Sequence, residues 1–570
     1  MKLLLNFTTI LPYVVFSIFA SCSSANHPIA TSKQYSVLND ADSSAHNDST
    51  GLEDIDYANL ALEVGLDPEN ALRQLDDLLA LHDAPRLHLL FGQASLNLLE
   101  QRQMAGTLGP GLAADLFSDA DSSFEMCVDD PNTRTAALRG QARSLCRQGD
   151  FVNAWDAALL WHASDSSNFE LSDNILIGEI GLGRVIAERQ QNASPTPAPH
   201  LAIEALEAAI EAGAPYATRI NLADFHTWQQ RPVVAAEALA SAILSAPDSE
   251  TAYTRLSNLC TGNRNLHTAT LKQLCFELSN SATALWYYGE SLYLQARDTR
   301  AAADFLKAML ALDQSEQAFE QAAILNEAFA TSCRDYISIV KTQRVWLLRD
   351  EQRIDDAIAS VLDVIAYNPV AMKQPRREES LPNAIDYLVS DIYKSGDLVK
   401  ATAFLRSICL VDDSVSSFVN NLGLFTRDLA GRLERSEQPA AAHELYLESW
   451  DVYSRLVELE PEDPRAINDR ALISVYYLDD HHEFAVQELH RAIVVGEDLL
   501  AKMDDNVPES EHLYIDEAVG DAYENLAYYQ VFRLNQVGDA EKLLKISETH
   551  YPFKKRNGVM MIREKIKQIQ

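Results

Sequence analysis

The stretch ALWYYGESLYLQARDTRAAADFLKAMLALD, residues 284–313, constrains the fold more than any other. It reads as two short amphipathic helices joined by a turn, and its pattern returns along most of the chain. A unit of this size cannot bury its own apolar face and becomes stable only when stacked on copies of itself. The product of such a chain is a long surface, so the expected work is recognition.

Within this stretch, Gly289, Leu292, Ala301, Phe305 and Ala308 stand three, nine, four and three residues apart. The same spacing returns in Ala223, His226, Ala235, Leu239 and Ala242, with Pro247 following, and in Val345, Leu348, Ala357, Val361 and Val364, with Pro369 following. It returns again in Val389, Ile392, Ala401, Leu405 and Ile408, in Ile473, Tyr476, Ala485, Leu489 and Ala492, and less completely in Ala142, Leu145, Ala154 and Ala158. This spacing resembles the tetratricopeptide repeat, although Asp313 stands where that family usually has Pro. The resemblance implies an all-α fold, a right-handed α-solenoid of degenerate repeats, over residues 57–550. Starts separated by 44 to more than 80 residues imply diverged repeats or extra helices between the recognisable ones. Bends are expected near 191–200, 368–382 and 504–512, where Pro and polar residues interrupt the pattern. The basic segment 551–570 places Ile562, Ile566 and Ile569 on one helical stripe, suited to capping the last apolar edge.

The amino terminus has a different character. Residues 1–21 carry one positive charge, an apolar run and a small-residue end, the order of a secretory signal peptide. Phe19-Ala20-Ser21-Cys22 resembles the bacterial lipobox, which implies acylation at Cys22 and a lipid anchor in the membrane of the cell envelope. Ser23 lacks the Asp that holds enteric lipoproteins at the inner membrane, so the outer membrane is the expected destination. Residues 22–56 are rich in Ser, Asp and Asn, as a disordered tether is, and about 30 such residues span about 30 Å.

The formal net charge of -36 argues against nucleic acid as a partner, because binding a polyanion needs clusters of Lys and Arg. It favours a protein or peptide partner of basic character. Cys260 and Cys275 flank the polar run TGNRNLHTAT and would form a disulfide if that run were a hairpin turn between antiparallel helices. Cys127 and Cys146 form a weaker candidate pair.

Searching for chemistry yields little. The sequence has no zinc-binding HExxH, phosphate-binding Walker loop, GxSxG nucleophile turn or CxxC, so no cofactor and no enzyme activity are expected. Asp479-Asp480-His481-His482-Glu483 is rich in metal-ligand types but falls at an expected turn. Glu290-Ser291 is similar to the catalytic pair of lytic transglycosylases, yet the Gly-Leu-Met-Gln segment of that family is absent. The six tryptophans fall in helical stretches and suit core filling.

The expected function is therefore that of an interaction scaffold. Its groove would be lined by first helices of the middle repeats, with Glu290, Tyr293, Asn221 and Asp224 facing the partner. The competing expectation is a glycan-binding lipoprotein similar to the SusD group, which would need long irregular insertions between helices. Replacing Cys22 with Ser should abolish incorporation of radiolabelled palmitate and leave the signal peptide attached, as read by mass spectrometry of the purified protein.

Overall fold

The computed structural model describes residues 55–165, 168–190, 200–478, 480–504, 506–550 and 556–570. Cys22, nearly all of the expected tether and residues 191–199 and 551–555 lie outside the described residues. No strand occurs among the described residues. The helices form consecutive pairs: α1 Tyr57–Leu66 with α2 Pro68–Leu79, α3 Pro85–Met104 with α4 Pro110–Glu125, and α5 Arg134–Gln148 with α6 Phe151–Asp165. There follow α7 Leu171–Gln190 with α8 His200–Glu211, α9 Tyr216–Trp228 with α10 Pro232–Ser245, and α11 Glu250–Leu259 with α12 Arg264–Glu277. The series continues with α13 Ala282–Ala301 and α14 Phe305–Leu325, α15 Ala330–Asp350 and α16 Ile354–Tyr367, and α17 Leu381–Ser395 and α18 Leu398–Val411. It ends with α19 Ser416–Arg435 and α20 Pro439–Leu459, α21 Pro464–Tyr477 and α22 His482–Lys502, α23 Glu509–Phe532 and α24 Val537–His550, and a last helix α25, Asn557–Ile569. The chain divides into two compact units between Ser291 and Leu292, inside α13. Each unit is a stack of tetratricopeptide-like helix pairs.

One packing rule runs through the second helices. In every one from α10 onward, the residue three places after the helix start is buried, as are those four and seven further on. These are Ala235-Leu239-Ala242, His267-Leu271-Leu274, Ala308-Leu312-Ser315, Ala357-Val361-Val364, Ala401-Leu405-Ile408, Ala442-Tyr446-Ser449, Ala485-Leu489-Ala492 and Ala540-Leu544-Ser547. Offsets of four and seven lie on one stripe of a helix, so each triplet forms a single buried face, turned toward the first helix of the pair except in α12, which packs on α10. The small leading residue lets the two backbones approach. Where the third member is Ser449 or Ser547, its hydroxyl donates to the Gly423 or Gly520 carbonyl of the first helix, at 2.8 and 2.6 Å. Turns within the pairs reuse one left-handed residue, at Gly149, Gln230, Ala303, Gln352, Gly396 and Glu437.

This rule corrects the register of the stretch at 284–313. Helix α13 runs on to Ala301, and the turn is formed by residues 302–304. Ala301 is exposed, Phe305 is only half-buried at the start of α14, and Ala308 takes the place expected of Ala301. The reading was displaced by seven residues (308 − 301 = 7), nearly two full turns, which preserves the buried face and so mimics the true pattern. Gly289 and Leu292 are buried, but Ala296 is the residue twelve places before Ala308, as Ala223 is before Ala235. The other copies keep their register, with Ala223, Ala235, Ala357, Ala401 and Ala485 at most 1% exposed and Pro247 and Pro369 just past their helices. Triplets led by His267, Ala442 and Ala540 fill the apparent gaps, because His, Tyr and Ser replace the expected types. Successive leading residues from Ala235 onward stand 32 (Ala235 to His267) to 55 (Ala485 to Ala540) residues apart.

The expected Cys260–Cys275 disulfide is not formed, and both thiols are free. Most of the run taken for a turn is helix: α12 begins at Arg264, and Cys275 lies eleven residues along it. Eleven residues of helix rise about 16 Å, whereas bridged Cα atoms sit within about 7 Å. Helices α11 and α12 each pack on α10. At the other end of the chain, α25 buries Ile562 and Ile566 against Ala527, Val531, Ala540 and Leu544, while Ile569 stays exposed.

His267 is the anomaly of this scheme, since it takes the small-residue place in α12, is 0% exposed and has no hydrogen-bond partner on either ring nitrogen. Burial, assisted by Arg264, pushes its pKa down to about 4. Its charged form is accommodated in the unfolded chain but not in the folded one, so the folded state loses stability as pH falls from about 6.5 toward 4. His267→Leu should remove that loss. In urea melts, the variant should gain about 2–3 kcal/mol relative to the parent at pH 4.5, and much less at pH 8.

Candidate functional site

The residues expected to line a groove in the middle repeats are wholly or partly buried. Asn221 is buried within α9, and Asp224 forms an ion pair with Arg255 of α11. Burial pushes the Asp224 carboxyl up, and Arg255 opposes that push. Tyr293 lies under the Arg297 guanidinium, 6.0 Å away, which in turn pairs with Glu379 at 3.1 Å. Glu290 is half-buried, and the neighbouring Ser291 hydroxyl shares a 2.8 Å hydrogen bond with Thr268 in the core. This pair therefore lacks an exposed hydroxyl for cleavage chemistry.

In the run at 479–483, Asp480 and His481 contact each other at 3.5 Å, and the two histidines turn to different rings. Asp480 projects outward, His481 stacks on Trp450 at 5.4 Å, and His482 turns toward Tyr529. Asp479 lies outside the described residues. Among the described residues, no three His, Cys, Asp or Glu side chains come together as metal ligands. Trp155, Trp161 and Trp346 are buried in the stack, while Trp228 lies under the Arg189 guanidinium.

A different surface stands out in the second unit. Between residues 434 and 524 the sequence carries 24 acidic and 6 basic side chains, so this segment of 91 residues holds -18 (6 − 24) of the total formal charge of -36. Among the first helices here the surplus sits on α23, with six acids and no Lys or Arg, while α21 sets Asp469 between Arg465 and Arg470 and α19 sets Asp428 and Glu434 against three arginines, and together they form one charged strip. Arg427 pairs with its neighbour Asp428 at 3.1 Å, and Arg465 pairs with Glu517 at 3.0 Å while lying over the Tyr514 ring at 4.2 Å. Arg556, at the start of α25, pairs with both Asp521 and Glu524. Asp469 lies among these groups, in the field of Arg427 and Arg465, yet no ion pair closes on it among the described residues.

Electrostatics follow from the geometry. Burial pushes the Asp469 carboxyl up to about 6; Arg427 and Arg465 resist, while Asp521 and Asp463 add to the push. Burial likewise raises Glu524 to about 7, against Arg556. Tyr453, fully buried on α20, has a hydroxyl without a hydrogen-bond partner, and the charges acting on it most strongly are Asp469 and Arg427. Stacked tyrosines border the strip: Tyr446 on Tyr477 at 4.2 Å and Tyr476 on Tyr528 at 3.8 Å. Beside it lies an open groove of about 460 Å³, rimmed by Glu460, Glu462 and Asp463 and floored by Leu499, Tyr514 and Ile515. The concentration of acids was visible in the sequence. Which of them lacks a cation required the packing.

No protein-family model matches this chain. No curated protein sequence is similar to it. Among solved structures, the chain is similar to that of Naa15/Naa10 bound to HypK-THB, at 11% identity over 90% of this chain and 91% of that one, with a TM-score of 0.23. It is also similar to the TPR domain of P58(IPK), at 14% identity over 77% of this chain and 99% of that one, with a TM-score of 0.19.

A carboxyl whose pKa is higher in the folded state than in the unfolded one destabilises the fold above that pKa, and the cost disappears as pH falls toward the unfolded value. For Asp469 the window runs from about 6 down to about 4. Asp469→Asn should therefore be more stable than the parent at pH 8, by about 1–2 kcal/mol after allowance for its partial exposure. The difference should vanish near pH 4 in chemical denaturation.

Proposed function

We propose that this chain is a protein-interaction scaffold whose acidic strip in the second unit holds an extended basic segment of another protein. Its work is recognition through the stacked helices. Acyl chains on Cys22 and the tether that follows would hold the scaffold at the cell envelope, a reading supported by the order of charge, apolar run and small residues before Cys22. The observation that carries the binding proposal is the concentration of half the formal charge in residues 434–524, part of it on the six acids of α23, beside an apolar-floored groove.

The physics is that of complementary charge. A strip with more carboxylates than guanidinium groups attracts cations, speeds encounter and discriminates against acidic chains. The groove, with Leu499 and the exposed Tyr514, offers apolar surface for the remainder of the segment.

Fluorescence anisotropy with arginine- and lysine-rich peptides, acidic peptides of equal length and a set of oligosaccharides tests this reading. Basic peptides should bind at pH 7.5, and their affinity should fall at least tenfold between about 50 and 300 mM salt. Equal binding of acidic peptides, or binding of oligosaccharides in place of peptides, would overturn it.

A further inference from the structure

Where along the strip a partner's cation would sit can be read from the chain's own carboxyl end. Arg556 reaches into the last helix pair, its side chain 9% exposed, and pairs there with Asp521 and Glu524. It also donates to the Ser547 hydroxyl at 3.0 Å, so the guanidinium is held by three side chains from α23 and α24. Gly558, two residues on, packs so closely that a Cβ there would come within 1.7 Å of a Glu524 oxygen. This is one worked example, within the molecule, of a basic segment seated on a first helix of the array.

The preceding pair carries an acid in the same place, Asp469 where this one has Glu524. Glu524 stands eight residues before the end of α23 and sixteen before Ala540 (532 − 524 = 8; 540 − 524 = 16). Asp469 stands eight before the end of α21 and sixteen before Ala485 (477 − 469 = 8; 485 − 469 = 16). Glu524 has Arg556, but Asp469 has no ion-pair partner among the described residues, since Arg427 is matched by Asp428 and Arg465 by Glu517. Beneath it the Tyr453 hydroxyl, 0% exposed, is equally without a partner. A buried hydroxyl left unsatisfied is costly, and it marks this point of the strip, with the partly exposed Asp469 above it, as short of hydrogen-bond donors.

We propose that Asp469 is the docking point for an arginine or lysine side chain of the partner, held as Glu524 holds Arg556, with the chain on one side running into the groove at Leu499, Tyr514 and Ile515. The inference rests on the reading of the strip as a site for basic segments and goes further by naming the residue and the side chain it takes. The groove begins at Asp463 and Pro464, just over one helical turn from Asp469, so a cationic residue and a nearby apolar one would be read together. Charge favours this occupant over an acidic or phosphorylated one, because the surplus at this point is negative.

The test uses the full chain and a fluorescent peptide copied from its own residues 554–562, KKRNGVMMI, supplied in trans. A second peptide carries citrulline, which has the shape of arginine without its charge, in place of the arginine. The parent should bind the arginine peptide at least tenfold more tightly than the citrulline one. Asp469→Asn should lose most of that preference while keeping a melting temperature at or above the parent's, and Asp355→Asn, at a remote exposed site, should keep it. If Asp469→Asn retains the preference while the parent binds basic peptides, the docking point is wrong and the wider reading stands. If the parent binds neither this peptide nor any other basic peptide, the reading of the strip itself fails.

Discussion

The whole array depends on how closely two helices of a pair can approach. A buried residue three places into the second helix, nearly always Ala, sets that distance, and the residues four and seven further on complete the contact. Nothing else in the pairs is as regular: helix lengths range from 10 to 24 residues, and the loops between them vary. From α10 onward the leading place is Ala except at His267, where a titratable ring is buried without a partner. Packing geometry is conserved along the chain while composition drifts around it.

That explains which parts of the fold were legible in the sequence. Copies led by Ala235, Ala357, Ala401 and Ala485 could be read directly because alanine and branched residues alternate at the right offsets. At residues 284–313 the same offsets occurred twice, seven residues apart, and a pattern of period near 3.6 cannot distinguish the two registers by face alone. The deciding information was the length of α13, which runs on through Ala301 before the turn, and helix ends are weakly encoded. The copy led by Ala442 is not legible in the sequence because Tyr446 and Ser449 are neither small apolar nor branched, although both are buried in the pair, where Ser449 donates to the Gly423 carbonyl and Tyr446 to Glu434.

The surface obeys a different logic. Asn221 and Asp224 stand on a first helix as groove residues would, but neighbouring pairs lie close enough to bury Asn221 and for Arg255 to reach Asp224, which ties two helices together. Acidic charge in the second unit exceeds what its arginines can match, and the excess is left at Asp469 and around the groove beside it. Pairing of this kind follows from three-dimensional neighbours about 30 to 50 residues apart in the chain, as with Arg349 and Asp391, 42 residues apart at 2.7 Å. Sequence alone reports the charges but not their partners.

Contacts of such short range also bear on how the molecule comes into being. Within each unit a helix packs mainly on the one or two that follow it, so ordering one pair closes only short loops and needs little of the remaining chain. Folding can start at any pair and spread to its neighbours. During synthesis the early pairs can be complete while the last are still inside the ribosome. The face exposed meanwhile is always the next apolar edge, and beyond α24 that edge stays open until α25 lays Ile562 and Ile566 over it.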